Sequence, residues 1–245
     1  MQLTKDIELL EGLPVAYIRS LDALAVADLH LGYEGVMAKK GMLLPKVNFK
    51  KIMETIKEAA EKTKAKSIIV DGDIKNEFSE VDQEEFNELF DFVKSVREMK
   101  LEPVLIKGNH DNFVERYREP FNLKIYAQEA RIGDYLFFHG EELPREIKGV
   151  KMLIMGHEHP AIGIINAAGR KEKVSCFLSV TYKRIPLLVL PAMNFYAAGV
   201  DINFQSRASL LSPVFGAANV DHMRAIAVGF GSTMDFGEIG KLRNQ

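Results

Sequence analysis

Five short apolar runs in the first two-thirds of the chain constrain the fold more than any other feature of the sequence. They have the length and the β-branched or aromatic content of buried strands, at residues 24–27, 68–70, 104–106, 135–138 and 152–155. Apolar residues at helical spacing separate the first three runs, and Ser79 with Asp82 resembles a capping box before the second helix. This alternation predicts βαβ units and a largely parallel sheet.

The second half of the chain changes to strands without intervening helices. Strand-like runs occupy residues 161–167, 174–182 and 185–190, the segment 168–173 has the polarity of a turn, and 225–230 predicts one more strand. We therefore predict an α/β protein with two sheets packed in a single domain over residues 1–245 and helices outside. The chemical motifs fall within 24–160, and the β-rich half with a long loop within 161–245.

Composition excludes several classes of protein. The chain of 245 residues can bury a substantial core, and its net charge of −2 argues against a global basic field that coats nucleic acid. Its one cysteine, Cys176, excludes an internal disulfide framework, and its apolar neighbours predict a buried, inert thiol. The sequence has no signal-peptide pattern and no apolar stretch long enough to span a bilayer, so we expect a cytoplasmic protein without a membrane partner.

Polar residues follow each of the five apolar runs at the point where the predicted strand ends. In open α/β sheets, ligands bind in the crevice at the carboxyl ends of the strands. Five of the six histidines are placed this way, whereas His222 has no such neighbour and is predicted to be structural or on the surface. The strand-end residues are Asp28 and His30, Asp73, Asn109 with His110 and Asp111, His139, and His157 with His159.

Each of these turns has an ordinary explanation when taken singly, such as a strand end, a helix cap or a satisfied core histidine. Together they predict a metal site, because unpartnered carboxylates and imidazoles in one crevice are costly and a divalent cation removes that cost. The seven candidate ligands exceed the needs of one ion, which indicates two metals. They are Asp28, His30, Asp73, Asn109, His139, His157 and His159.

The donor types narrow the choice of metal. Imidazole, carboxylate and one carboxamide without thiolate are not typical of structural zinc. The set favours Mn²⁺, with Fe²⁺, Co²⁺, Ni²⁺ and Zn²⁺ as alternatives. Because His157 and His159 are one residue apart, we expect them to bind different ions while Glu158 points away.

These motifs, in this order, resemble the calcineurin-like metallophosphoesterases. The pattern is Asp28/His30, Gly72-Asp73, Gly108-Asn109-His110-Asp111, the lone His139 and Gly156-His157-Glu158-His159. The most similar members are archaeal phosphoesterases related to the Mre11 and SbcD nucleases. The resemblance implies a four-layer α/β-β/α sandwich. It also implies that Asp28, His30 and His159 bind one metal, that Asn109, His139 and His157 bind the other, and that Asp73 bridges them.

The resemblance further implies a catalytic pair, in which His110 protonates the leaving oxygen and Asp111 fixes its tautomer. Two ions about 3.5–4 Å apart can share a hydroxide for in-line attack on a phosphate. We therefore predict a phosphodiesterase acting on nucleotides or nucleic-acid ends. The oligomeric state is left open, with a homodimer among the alternatives.

Two alternatives stay open. An Mre11-like DNA nuclease is the first, although nucleases of that type resemble Gly-Asp-x-x-His where this chain has Asn76, which can hydrogen-bond a substrate but cannot transfer a proton. The second, from a different class, is a non-catalytic scaffold that binds protein partners. Relatives of that kind lose ligands or the histidine of Gly-Asn-His, whereas this chain keeps His110 and all seven candidate ligands.

A long irregular segment, residues 191–222, follows the last strand of the β-rich half. It lacks helical or alternating periodicity for about thirty residues, and connections of that length are usually functional or disordered. The shortage of charge runs disfavours disorder. We expect it to fold over one rim of the metal crevice, to supply no metal ligand, and to help select the substrate through Phe195 and Tyr196; a packing loop distant from the site is the alternative.

Overall fold

Two β-sheets packed face to face form the centre of the computed structural model, which describes residues 1–78, 83–165, 168–197, 199–229 and 231–243. Helices cover the outer face of each sheet, so the order of layers is α/β-β/α. The predicted fold class is confirmed.

The first sheet is built from the amino-terminal half of the chain. Its order is β1-β2-β3-β4-β5-β6; β1 to β3 are antiparallel, and β3 to β6 are parallel as the strand–helix alternation predicted. The strands are β1 (Ile7–Leu9), β2 (Ala16–Ile18), β3 (Ala23–Val26), β4 (Ser67–Asp71), β5 (Glu102–Ile106) and β6 (Lys124–Tyr126).

Three helices lie in the same half of the chain: α1 (Tyr33–Lys39), α2 (Asn48–Thr63) and α3 (Gln83–Glu98). The apolar stripes of α2 and α3 pack on the outer face of the first sheet, where Ile56 and Phe92 are fully buried. The buried Glu34 of α1 accepts N–H bonds from Val47 and Asn48 and so caps the start of α2. The predicted capping box of Ser79 and Asp82 lies outside the described residues.

The second sheet is built from the carboxyl-terminal half, in the order β13-β10-β11-β12-β9-β8-β7, with β14 pairing with β11 and with β15. The predicted turn at 168–173 is wrong in its last three residues, because β11 already begins at Lys171 and pairs there with Ile165. Of the other predicted strands of this half, residues 166, 167 and 230 lie outside the described part. The strands are β7 (Glu129–Ile132), β8 (Tyr135–Phe138), β9 (Met152–Met155), β10 (Pro160–Ile165), β11 (Lys171–Tyr182), β12 (Ile185–Val189), β13 (Val200–Asp201), β14 (Arg224–Gly229) and β15 (Ser232–Glu238).

Burial of apolar side chains holds the four layers together. The core between the sheets combines residues of both, such as Ile69 from β4 with Ile154 from β9 and Phe177 from β11. Short helices α4 (Val214–Ala217) and α5 (Ile239–Leu242) help to cover the outer face of the second sheet. Cys176 is fully buried there, and burial raises the pKa of its thiol, as the apolar context predicted.

The two sheets present their strand ends at one edge of the sandwich. Strands β3, β4 and β5 run parallel and end together, as do β8, β9 and β12 of the other sheet. The main chain joins the two sets of ends, because Met193 after β12 donates its N–H to Ala27 after β3. Among the described helices, none combines the length and the apolar character needed to cross a membrane.

Candidate metal centre

The strand ends bring all seven predicted ligands to this edge. Asp28 and His30 follow β3, Asp73 follows β4 and Asn109 follows β5, while His139 follows β8 and His157 and His159 follow β9. Asp28, Asp73 and His139 are almost fully buried, and His30, His157, His159 and Asn109 line a cleft of about 470 Å³ that opens to solvent.

One group of side chains consists of Asp28, His30, Asp73 and His159, which each offer one ligand atom within 4.8 Å of the others. His159 Nε2 lies 3.3 Å from Asp28 Oδ1 and 3.3 Å from His30 Nε2. His30 Nε2 lies 3.8 Å from Asp73 Oδ2. The four ligand atoms therefore lie close enough together for one ion to contact all of them.

A second group consists of Asp73, His139 and His157 under the same distance limit. His139 Nε2 lies 3.1 Å from Asp73 Oδ2, so this contact joins the ends of the two sheets. Asp73 belongs to both groups, because its Oδ2 faces imidazoles of each, His30 in the first group and His139 in the second. Its Oδ1 accepts the His110 N–H at 2.9 Å. The division into two groups that share Asp73 is the one that the family resemblance implies, and the assignment of ligands to ions stays a prediction.

The donor set of this structure fits a pair of divalent metals. Asn109 Oδ1 is a buried acceptor without a hydrogen-bond partner among the described residues. His139 Nε2 lies between two carboxylates, 3.1 Å from Asp73 Oδ2 and 3.8 Å from Asp28 Oδ1, but has hydrogen-bond geometry to neither. Buried polar atoms are normally satisfied, and exceptions at a functional site indicate an ion or water.

The backbone is strained at five of the seven positions. Asp28, His30, Asp73, His157 and His159 all have φ between 47° and 67°, in the left-handed region. Non-glycine residues held there cost on the order of 1 kcal/mol or more each, and such residues cluster at functional sites. These left-handed residues lie within the turns that follow β3, β4 and β9.

Two motif glycines are required by close approach. A Cβ at Gly108 would overlap Asp73 Oδ1 and lie 2.7 Å from His139 Cδ2. A Cβ at Gly72, which has a φ of +85°, would overlap the His139 ring. These glycines therefore let the two sheets' ligands reach each other.

Main-chain groups orient the ligands from behind. His139 Nδ1 donates to the Asp71 carbonyl oxygen at 2.9 Å, which fixes the tautomer and leaves Nε2 facing the cluster. The His157 N–H donates to both oxygens of Asp28, at 3.2 and 3.1 Å. The site is thus held by the strand-end turns of both sheets.

Electrostatics favours the protonation states of metal ligands at four positions. Burial alone would raise the pKa of Asp28 and of Asp73, but the imidazoles of His159 and His139 hold both carboxyls below their usual range. Burial lowers the pKa of His30 and His157 to about 4, so both are neutral at pH 7. Ionised carboxylates and neutral imidazoles are the forms that bind metals.

The other two imidazoles respond to the carboxylates around them. Burial opposes protonation of His139 and His159, but Asp73 and Asp28 respectively raise the pKa of each ring. The two carboxylates therefore attract positive charge to this point, either as protons on these rings or as a bound cation.

His110 lies at the mouth of the cleft, with Nε2 3.9 Å from Asp73 Oδ2. The expected hydrogen bond to Asp111 is replaced by another contact: His110 Nδ1 donates to the Asn76 carbonyl oxygen, 2.5 Å away. The Asp111 carboxylate instead accepts N–H bonds from Gly108 at 2.9 Å and Lys75 at 3.2 Å, so it ties together the turns after β4 and β5. Burial, followed by repulsion from Asp73, raises the pKa of Asp111 to about 7.

The irregular segment lies beside the metal cleft, as predicted, but the residues that line it differ from those expected. Val200 and Leu211 form part of its wall. Phe195 instead makes a cation–π contact with Lys51, whose Nζ is 3.1 Å from the ring centroid, and it lines a separate cleft. Tyr196 stacks on Tyr33. Substrate binding by Phe195 and Tyr196 stays a prediction, as does that by Asn76, whose carbonyl group is committed to His110.

Glu158 explains how this segment is attached. Its side chain belongs to neither group of ligand side chains and is fully buried, where it accepts N–H bonds from Leu211 and Ser212 at about 3.0 Å. Sequence reasoning missed this anchor. The available signal was that Glu158, a carboxylate between two predicted ligands, had no role of its own in metal binding. His222 is exposed, 3.5 Å from Glu238 Oε1, in agreement with its predicted surface position.

Comparison with known proteins decides the family. The sequence profile described as calcineurin-like phosphoesterase matches residues 22–161, which include every strand-end motif. The chain belongs to the calcineurin-like phosphoesterases. Among curated proteins, no relative matches the chain.

One solved structure supports the same fold, and a second superposes less closely. Pseudomonas putida nuclease MPE superposes with a TM-score of 0.64 and 18% identity, over 94% of this chain and 100% of that chain. Yfce, a phosphoesterase from E. coli, gives a TM-score of 0.42 at 15% identity, over 73% of this chain and 83% of that chain. The family and its two groups of metal-binding side chains identify this phosphoesterase as a hydrolase.

The packing of Gly108 generates a test of the metal centre. We expect Gly108→Ala to weaken metal binding about 10- to 100-fold, because the added methyl group must displace Asp73 or His139. Gly216→Ala is the matched control, since a Cβ there meets open space and neither glycine has a positive φ. Metal titrations followed by inductively coupled plasma mass spectrometry measure both; equal affinity in the two variants would contradict the assignment of Asp73 and His139.

Proposed function

We propose that this phosphoesterase is a dinuclear metal-dependent phosphodiesterase that acts on nucleotide or nucleic-acid phosphodiesters. The observation that carries the proposal is the position of Asp73 Oδ2, which is shared by two groups of ligand side chains. A single structural ion would need only one such group. Asp73, Asp28, His30 and His159 would hold one ion, and Asp73, Asn109, His139 and His157 the other.

The bound ions would acidify water and stabilise the charge that develops on the phosphate. We propose Mn²⁺ for both positions, because the donors are nitrogen and oxygen atoms without thiolate. The protein's own residues would position the ester at the mouth of the cleft and supply the proton that the leaving oxygen needs.

His110 is the proposed general acid. Because the Asn76 carbonyl oxygen accepts its Nδ1–H, the ring directs Nε2 towards the cluster. In its doubly protonated form, the ring would give the Nε2 proton to the leaving oxygen and keep the Nδ1 proton. Asp111 acts through the backbone of the two turns in this proposal, since its carboxylate binds Gly108 and Lys75. It is therefore a positioning residue.

A DNA nuclease is the second candidate, favoured by the overall similarity to a Pseudomonas putida protein that is named a nuclease. A DNA duplex would need basic surface residues to bind its phosphates, and two of the candidates are already paired, Lys46 with Glu84 and Lys171 with Asp201. These pairs favour a small substrate over a long duplex. A cytoplasmic location remains part of the proposal and rests on the single buried cysteine.

Hydrolysis in the presence of Mn²⁺ tests the proposal directly. We expect the protein to hydrolyse bis-p-nitrophenyl phosphate and dinucleotides with Mn²⁺ and to lose this activity in chelator. A panel of cyclic nucleotides, dinucleotides and DNA ends, with products identified by mass spectrometry, separates the two candidates. Activity on phosphomonoesters alone would contradict a phosphodiesterase, and inactivity on every ester would leave the protein-binding scaffold.

The role of His110 predicts a selective loss. We expect His110→Asn to bind metal normally and to lose about 10²–10⁴ in turnover on an alkyl phosphodiester, the usual contribution of a general acid. The loss should shrink for p-nitrophenyl esters, whose leaving group needs less protonation. The exposed His222→Asn is the matched control; unchanged turnover of His110→Asn on the alkyl ester would remove His110 from the mechanism.

The irregular segment predicts a change in substrate preference. Leu211 is 60% exposed on the wall of the cleft, so Leu211→Ala should alter the order of preferred substrates without changing stability or metal content. Kinetics on the same panel measure this, with the double variant Phe195→Ala/Tyr196→Ala compared beside it. An unchanged order of substrates in both variants would contradict a role for this segment.

A further inference from the structure

Phe78 is an exposed aromatic residue beside the proposed general acid. Its ring centroid lies 3.8 Å from that of His110, and the two ring planes are inclined by 31°. The side chain is 51% exposed and lies outside the three hydrophobic cores formed by the described residues. Core packing therefore does not explain a phenylalanine at this position.

The main chain holds Phe78 in place. Its carbonyl oxygen accepts a hydrogen bond from Asn112 Nδ2 at 3.0 Å, and its N–H donates to Glu77 Oε1 at 3.0 Å. The preceding N–H groups of Asn76 and Glu77 donate to the buried Glu85 Oε1 of α3, at 3.1 and 2.6 Å. The segment 76–78 is thus anchored to a helix of the outer layer and is preorganised beside the cleft.

If Phe78 only supported His110, the exposed half of the Phe78 ring would have no explanation. The Asn76 carbonyl already fixes the imidazole from the opposite nitrogen. Part of the Phe78 ring packs against the His110 ring, and about half of the side chain is exposed to solvent beside this imidazole, the group that would protonate the leaving oxygen. An exposed aromatic ring at that point can stack on a flat group attached to the leaving oxygen.

Among groups joined to a phosphodiester, the nucleobase has this shape. Every base offers a π face, and base–aromatic stacking is tolerant of sequence and contributes substantially to binding. We propose that Phe78 is a specificity-determining residue that stacks on the base of the leaving nucleoside. This inference rests on the proposed function and narrows its substrate class to phosphodiesters that carry a nucleoside on the leaving side.

A double-mutant cycle tests the proposal, with one change made in the protein and the other in the substrate. The substrates are a thymidine dinucleotide and its two analogues in which an abasic sugar replaces one base; product analysis of the dinucleotide identifies the leaving side. We expect Phe78→Ala to lower kcat/KM for the dinucleotide about 5- to 150-fold. It should have little further effect on the analogue that lacks the leaving-side base, because the two changes remove the same contact.

Phe90→Ala is the matched control, since Phe90 is 47% exposed on α3 and packs against Phe121 away from the cleft. An equal loss on all three substrates would mean that Phe78 acts only through His110, and that result would overturn the proposal. No loss on any substrate would overturn it as well.

A binding measurement separates this inference from the proposed function. The chain contains no tryptophan, so Phe78→Trp introduces a single fluorescent indole at the position in question. With Mn²⁺ present, we expect a non-hydrolysable dinucleoside methylphosphonate to quench its emission. The analogue without the leaving-side base should quench it much less, and Phe90→Trp should not respond.

Base-dependent quenching in a protein that hydrolyses no diester would support the stack and refute only the proposed function. Hydrolysis of dinucleotides with quenching that does not depend on the base would refute the stack and leave the proposed function intact.

Discussion

The contact between Asp73 and His139 is the interaction on which the site depends. Asp73 follows β4 of the first sheet and His139 follows β8 of the second, and their side-chain atoms meet at 3.1 Å. Gly72 and Gly108 leave room for it, since a methyl group at either position would overlap one of the two residues. The packing of the sheets therefore sets the distance between the two ligand groups, and a shift of one sheet would separate them.

Burial of this much charge opposes folding unless partners compensate for it. Imidazoles and backbone N–H groups supply part of the compensation, as His110 N–H does for Asp73 and His157 N–H does for Asp28. The left-handed backbone at five ligand positions adds further cost. Because divalent cations would bind the folded arrangement and not the unfolded chain, metal binding and stability are linked in such a site.

The apolar runs predicted the two sheets and the meeting of the candidate ligands at one edge, because such runs mark buried strands and parallel strands end at one edge. The division of the ligands into two groups was implied by the family resemblance alone. The sequence did not predict β1, β2 or β6, which are three residues long and too short to show a periodicity. It also predicted a hydrogen bond between His110 and Asp111, whereas the Asn76 carbonyl oxygen is the partner of His110 Nδ1. The family resemblance implied that pair, but the partner of His110 comes from another turn, and the packing of β4 beside β5 decides it. Phe195 and Tyr196 are aromatic residues of a long loop, which predicts that they select the substrate at the metal cleft. Residue type alone, however, does not tell which cleft a loop residue lines.

Residues that hold the ligands and residues that would select the substrate occupy different kinds of structure. The ligands follow strands whose ends are fixed by both sheets, so small changes there would disturb both metals. Phe78 and Leu211 lie on segments whose backbone N–H groups are held by a buried carboxylate, Glu85 of α3 in one case and Glu158 between two ligands in the other. Because both anchors are buried carboxylates that accept backbone N–H groups, they hold the main chain and leave the exposed side chains free to differ. Substitutions of these two exposed side chains are therefore expected to leave Asp73 and His139 in place.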